Sequence, residues 1–376
     1  MHPQRGLACA LPLILVAMSA SAVQPYTPDA ASTLSASSTT AAPAMRERDV
    51  VHTPVPKVQP GRLELITPSG PVEVPVAVSR DWTQPQPDVT RVVVVIPGWP
   101  RRDLTSGEYA AKIAGPAARG AMLITPQFLT AKDVAAHHLP DDMLRWREDD
   151  WPRARLSTGP IELSSFEVVD EIFRRLANRA IFPNLNMIVL AGHSAGGQYV
   201  QRYAALGRGE ADLGGAPIHI RYVVANPATY LYLTDDRPDG DGTFAPFDAK
   251  ECPTFDRWNY GLRTGVPPYA GAPTTADAVK ARYLRRDVVY LLGTADNSPD
   301  EDSVGHNCEA DAQGLTRYAR GLAYDAYIHM LDPQTHQLAL EAQGIAHSSG
   351  RMYASACGLT ALFDKPGCGE SVSKQP

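Results

Sequence analysis

From residue 61 onward, hydrophobic and polar positions follow two rhythms. LELIT and VEVPVAV, within residues 61–79, flank the turn residues Pro68-Ser69-Gly70-Pro71, which predicts a hairpin. RVVVVIPGW (91–99) is a continuous β-branched run, as expected of a strand buried on both faces. AMLITP (121–126), NMIVLAG (186–192), RYVVANP (221–227) and VVYLLGT (288–294) read the same way, and QLALEAQG (337–344) alternates as a last strand. Helical spacing fills the intervals around SGEYAAKIAGPAARG, in SSFEVVDEIFRRLANRA, from about Gly196 to Leu206, and in SGRMYASACGLTALF. A capping box of Ser164 and Glu167 opens the second of these, with Phe166, Val169, Ile172, Phe173 and Leu176 on one face. Strands alternating with helices imply a mostly parallel sheet covered on both sides.

Two stretches break the rhythm, residues 127–160 and 228–287. Both are rich in Trp, Tyr, Pro, Asp and Arg, and both follow the carboxyl end of a buried strand, where sites form in open α/β sheets. They are expected to wall a pocket as loop-rich insertions. Trp146, Trp151, Tyr230, Tyr232, Trp258 and Tyr260, with Trp99, are candidate substrate contacts; core packing is the plainer role for any of them. Arg101 and Arg102 could meet a carboxylate or form a solvated pair. The run Asp235-Asp236-Arg237-Pro238-Asp239-Gly240-Asp241-Gly242 invites calcium but lacks the ligand spacing and closing glutamate of an EF-hand, so a polar loop is expected.

The N-terminal pattern is different. Arg5 precedes the apolar run LACALPLILVAM, and Ala20-x-Ala22 follows it, which predicts a signal peptide over residues 1–22. The run is too short for a bilayer and is broken by Pro12, while Cys9 lies inside it rather than after it, against a lipoprotein signal. Residues 23–60, rich in Ala, Ser, Thr and Pro, read as a flexible tether to a domain at 61–376. Export to the periplasm or the medium is the expectation. Past the signal, Cys252, Cys308, Cys357 and Cys368 remain, and an even number in an exported chain suggests two disulfides with three possible pairings. Cys357 with Cys368 would staple the C-terminus, and Cys252 with Cys308 would join two loops. Close CxxC spacing, which a zinc site would favour, is missing.

Composition narrows the function. The 376 residues are 44% hydrophobic with a net charge of −6 and no long basic run, so neither nucleic acid nor an anionic membrane surface is an expected partner. Gly192-His193-Ser194-Ala195-Gly196 stands at a strand-to-helix junction. There a G-x-S-x-G sequence has a mechanical purpose: small flanking residues permit a tight turn, and the turn lifts the serine hydroxyl above the sheet at a helix N-terminus.

Those residues and the strand pattern make the chain resemble the α/β-hydrolase fold superfamily, over roughly residues 61–365. The resemblance implies a mostly parallel sheet with helices on both faces, the two insertions as a cap, and catalytic parts in the order serine, acid, histidine. Ser194 is then the nucleophile. Asp296, just beyond VVYLLGT, is the implied acid, with Asp300, Glu301 and Asp302 as a solvated loop and Asp235 or Asp236 as alternatives. His347, past the last strand, is the implied base; His306, His329 and His336 are worse placed, and His193 is expected to point away as a packing residue. The backbone N–H groups of Ala195 and Trp99 would form the oxyanion hole, with Pro97 standing where relatives often carry histidine. The implied activity is hydrolysis of small or polymeric carboxylic esters, with amide hydrolysis or inactive binding as alternatives. It requires no cofactor, metal or protein partner.

Overall fold

The computed structural model describes residues 47–369 except Pro273 and Asp302. The expected signal peptide and residues 23–46 of the expected tether lie outside the described residues. The described residues form ten strands: β1 (Gly61–Thr67), β2 (Gly70–Val78), β3 (Arg91–Ile96), β4 (Ala121–Pro126), β5 (Met187–His193), β6 (His219–Ala225), β7 (Asp236–Asp239), β8 (Thr243–Pro246), β9 (Asp287–Gly293) and β10 (Leu338–Ala342). Eight of them form one sheet in the order β1-β2-β4-β3-β5-β6-β9-β10. The β1–β2 and β2–β4 pairs are antiparallel and the remaining pairs are parallel.

The β-branched run of β3 explains why the sheet is covered twice. Val92, Val94 and Ile96 enter one core and Val93 and Val95 the other, because successive side chains point to opposite faces. The first core receives Phe166, Val169, Ile172, Phe173 and Leu176 from the helix Ser165–Leu176, whose capping box is formed as expected. The second is closed by the helices Ser349–Ala354 and Ala356–Phe363, which carry Met352, Leu359 and Leu362. Among the described residues no helix is long and apolar enough to cross a membrane.

Three expectations change. Residues 51–60 are not a free tether. Val51 and Val55 are buried, the Val55 N–H donates to Asp133 (2.7 Å), and the Gln59 N–H donates to Gln127 (3.0 Å). Val55 packs with Leu129 and Met143 from the first insertion, a long-range contact that local composition does not encode. Arg101 is not solvated either: it is buried against Asp133 at 3.3 Å, and Arg102 reaches Thr53 and the Pro54 carbonyl. The acidic run at 235–242 lies in the β7–β8 hairpin, where Asp241 accepts from Thr243 across the turn.

Candidate active site

The carboxyl ends of β3, β5, β9 and β10 meet at one edge of the sheet. Ile96 pairs with Gly192 and Ala342 with Gly293, so the loops that follow these strands start side by side. Ser194 opens the helix Ala195–Leu206 with φ 59° and ψ −123°, a conformation costly for a residue with a side chain. The turn closes only because its neighbours are small: a Cβ on Gly192 would overlap the Gly196 carbonyl, and one on Gly196 would overlap that of Ile96. Ser194 N–H donates to the Ala225 carbonyl of β6 (3.0 Å), which fixes the elbow to the sheet.

Asp296 follows β9 by three residues and His347 follows β10 by five. Their loops are bonded to each other through the Ala295 N–H and the Ile345 carbonyl (3.1 Å). His347 Nδ1 lies 2.7 Å from Asp296 Oδ2, with the carboxylate almost fully buried. Donation from Nδ1 leaves Nε2 as a bare acceptor, and that atom is buried with no hydrogen-bond partner. His347 and Ser194 line the same cavity of about 470 Å³, but among the described residues no hydrogen bond joins the hydroxyl to Nε2. Such links are commonly open before substrate arrives.

Ser194 also lines a second cavity, of about 510 Å³, together with Ala195 and Trp99. Trp99 leaves β3 beside the elbow, since a Cβ on Gly98 would stand 3.8 Å from that of Ser194. The Ala195 N–H is one of the free donors at a helix start. Of the aromatic candidates, Trp99 and Tyr260 line this cavity. Trp146, Trp151, Tyr230, Tyr232 and Trp258 do not: all are buried in the core, Trp151 stacked on Phe128 and Tyr230 on Tyr324. Composition placed these aromatics near the site, but their large apolar area draws them inward.

The other predicted histidines do not pair with Asp296 among the described residues, although His306 lines the second cavity. His329 and His336 are exposed, and His306 is held by Asp311 and the Pro299 carbonyl. Asp235 and Asp236 belong to the hairpin region, and Asp302 lies outside the described residues.

Two neighbours escaped the sequence reading, Arg317 and Arg202, and two that it named stand otherwise than expected, Glu301 and His193. Arg317 is fully buried, with Nη1 at 3.1 Å from Asp296 Oδ1 and 3.3 Å from Glu301. Glu301 is therefore a partly exposed member of the site, paired with Arg317, rather than a freely solvated acid. Burial pushes Asp296 upward, yet the His347 hydrogen bond and charge, with Arg317, outweigh it and hold the carboxyl below its ordinary value. His193 faces His347, its ring centroid 4.5 Å away, and burial followed by the His347 charge holds it well below the usual imidazole value. Arg202 stands two turns along the elbow helix from Ser194 and lines the second cavity. Helical spacing from Ser194 through Gln198 to Arg202 was a usable signal for it.

The cysteines form two disulfides, Cys252–Cys308 and Cys357–Cys368. Cys308 starts a short helix, Cys308–Asp311, and its neighbours Asn307 and Ala310 line the second cavity. Among the described residues, one group brings three residues of metal-ligand type together, Cys252, Cys308 and Glu309, and its two sulfurs are bonded to each other.

No protein-family model matches the chain, and no curated protein does. Solved structures do match. A poly(aspartic acid) hydrolase from Sphingomonas sp. KT-1 aligns with a TM-score of 0.51 at 23% identity, over 78% of this chain and 96% of that one. LpqC, a poly(3-hydroxybutyrate) depolymerase from Bordetella parapertussis, aligns with a TM-score of 0.53 at 19% identity, over 83% and 92%. At these identities the likeness speaks for architecture, and it agrees with the strand order and the helices on both faces: the chain has the α/β-hydrolase fold.

Proposed function

We propose that this protein is an exported serine hydrolase that cleaves carboxylic esters with Ser194 as nucleophile, His347 as general base and Asp296 as its orienting acid. The observation that carries the reading is the meeting, at one cavity, of a serine on a strained strand-to-helix turn and an imidazole whose Nδ1 is held 2.7 Å from a buried carboxylate. A neutral hydroxyl is a weak nucleophile, so His347 Nε2 takes its proton as Oγ bonds to the ester carbon. Asp296 keeps Nδ1 protonated and stabilises the imidazolium. The Ala195 and Trp99 N–H groups receive the oxyanion; one such donor is commonly worth ~10²–10³ in turnover. Collapse expels the alkoxide, which takes the proton from His347, and water repeats the cycle on the acyl-enzyme. The cycle uses groups of the chain alone.

Two cavities meeting at Ser194 suit a substrate with bulk on both sides of the scissile bond. One solved neighbour is named for a polyamide and the other for a polyester, which keeps amide cleavage by the same residues as the second reading and makes polymers reasonable substrates. Two disulfides favour an oxidising compartment, in keeping with export.

A fluorophosphonate probe should label the wild type at one residue and Ser194→Ala not at all. The same substitution should lower hydrolysis of 4-nitrophenyl butyrate by up to ~10⁶-fold, as when a triad acts as a unit. Labelling of the variant, or its undiminished turnover, would overturn the assignment and favour a binding protein on this fold.

A further inference from the structure

Five arginines in the described chain are essentially fully buried: Arg101, Arg202, Arg237, Arg317 and Arg320. Four have a carboxylate oxygen close by, from Asp133 at 3.3 Å, Asp256 at 3.5 Å, Asp296 at 3.1 Å and Asp311 at 3.4 Å respectively. Arg202 has none among the described residues. Its Nη1 donates to the Pro152 carbonyl (2.9 Å) and Gln198 Oε1 (3.3 Å), and its Nη2 to the Asn259 carbonyl (3.3 Å) and the Thr229 hydroxyl (3.5 Å). Nε is buried without a partner. A buried charge surrounded by neutral acceptors alone carries a large desolvation penalty. Burial, reinforced by the neighbouring Arg153 charge, pushes the guanidinium down to about 9, so it still holds its proton at neutral pH.

This charge borders the 510 Å³ cavity that also holds Ser194, Ala195 and Trp99. Arg153 lines the same cavity, and the one carboxylate among the cavity's described lining residues, Asp149, is exposed. Trp99 Nε1 and Asn259 Oδ1, from two other lining residues, are buried without partners. Among the described residues the wall is thus polar, net positive and incompletely satisfied.

Which half of an ester enters it follows from His347. The base must protonate the leaving group, and it lines the other cavity. The acyl half therefore lies toward Arg202. Eight residues of helix separate Arg202 from Ser194, roughly 12 Å along the axis, and the arginine side chain leans back toward Gln198 and shortens that gap.

We propose that this cavity binds an acyl group ending in a carboxylate, with Arg202 as its counter-ion, so that the preferred substrates are monoesters of short dicarboxylic acids. The assignment rests on the serine-hydrolase reading of Ser194 and adds substrate class to it.

Two esters of equal acyl length test it, 4-nitrophenyl hydrogen glutarate and 4-nitrophenyl valerate. The wild type should favour the glutarate ester in kcat/KM by about 10- to 100-fold, the range of a hydrogen bond to a charged group. Arg202→Met should bring that ratio to near one, and Arg202→Lys should keep part of it; a ratio cancels any general loss of active enzyme. Equal ratios in wild type and Arg202→Met, or a wild-type preference for valerate, overturn the proposal. If Arg202→Met does not fold, free glutarate must slow fluorophosphonate labelling of the wild type more than butanamide does, and equal slowing overturns it. Labelling of Ser194 without glutarate preference removes the acyl-site assignment alone. Absence of both labelling and hydrolysis removes the hydrolase reading, and glutarate must then still raise the wild-type Tm for the anion site to stand.

Discussion

Arg317, bonded to Asp296, and Arg202, lining a cavity beside Ser194, are both fully buried, and they stand in opposite electrostatic company. Arg317 lies between Asp296 and Glu301, in a wall built from loops that leave β9 and β10. The arginine's charge is answered there within the protein by two carboxylates, and the arrangement holds the Asp296 carboxyl below its ordinary value beside His347. Arg202 lies on the elbow helix against the two insertions, and its hydrogen-bond acceptors are amide, carbonyl and hydroxyl oxygens. One wall has its ion pairs complete before substrate arrives, as the proposed preorganised chemistry requires. The other has no carboxylate on Arg202 among the described residues, which is what the proposed specificity pocket leaves for the substrate to supply.

The sharpest way to break that division is to damage the complete wall alone. Asp296→Asn removes the acceptor that fixes the His347 tautomer, and kcat should fall about 10⁴-fold, the scale of that change in other triads. The glutarate-to-valerate ratio should not move, because the acyl cavity is untouched. Steady-state kinetics on both esters decides the matter: an equal ratio supports separate roles for the two walls, and a collapsed ratio shows that they act as one.

How much of this was legible in the sequence depends on distance along the chain. The eight-stranded sheet, the Ser164 capping box and the elbow rest on local patterns, and residues 91–99, 164–176 and 192–206 carried them plainly. Asp296 and His347 could be singled out because each stands just past a recognisable strand. Position relative to the sheet therefore survives without coordinates. Contacts between distant segments do not. Arg317 meets Asp296 across 21 residues and Arg202 meets Asn259 across 57, and neither pairing leaves a periodic trace. The aromatics failed for a related reason: Trp146 and Tyr230 have the composition of a binding wall, while their burial is decided by packing against Phe128 and Tyr324.

The disulfide Cys252–Cys308 belongs to the incomplete wall, since it ties the second insertion to the segment carrying Asn307 and Ala310. Replacing both cysteines by alanine should lower stability by ~2–5 kcal/mol, the common cost of losing a native disulfide. Activity should fall as well, and the glutarate ester should suffer more than valerate, because the loosened elements border the acyl cavity. Thermal melts and paired kinetics check this. Unchanged melting and an unchanged ratio would show that the bridge has no part in shaping that wall.

The smallest expected effect sharpens the complete wall. His193 is buried against His347, and besides that ring Asp296 and Arg317 are the charged groups that bear on it. Burial and the His347 charge favour its neutral form, so its folded value lies well below the ordinary 6.5. In the unfolded chain the same imidazole takes a proton near that value. Below it, the unfolded state therefore binds one more proton than the native state, and stability falls as the pH falls. One proton corresponds to about 1.4 kcal/mol per pH unit. Urea unfolding of wild type and His193→Asn at pH 7, 6 and 5 should show coincident behaviour above the ordinary imidazole value and a steeper acid loss in the wild type below it. Parallel curves throughout would mean that the folded protein accommodates a protonated His193 beside the His347 ring, with the Asp296 and Glu301 carboxylates outweighing Arg317 and burial.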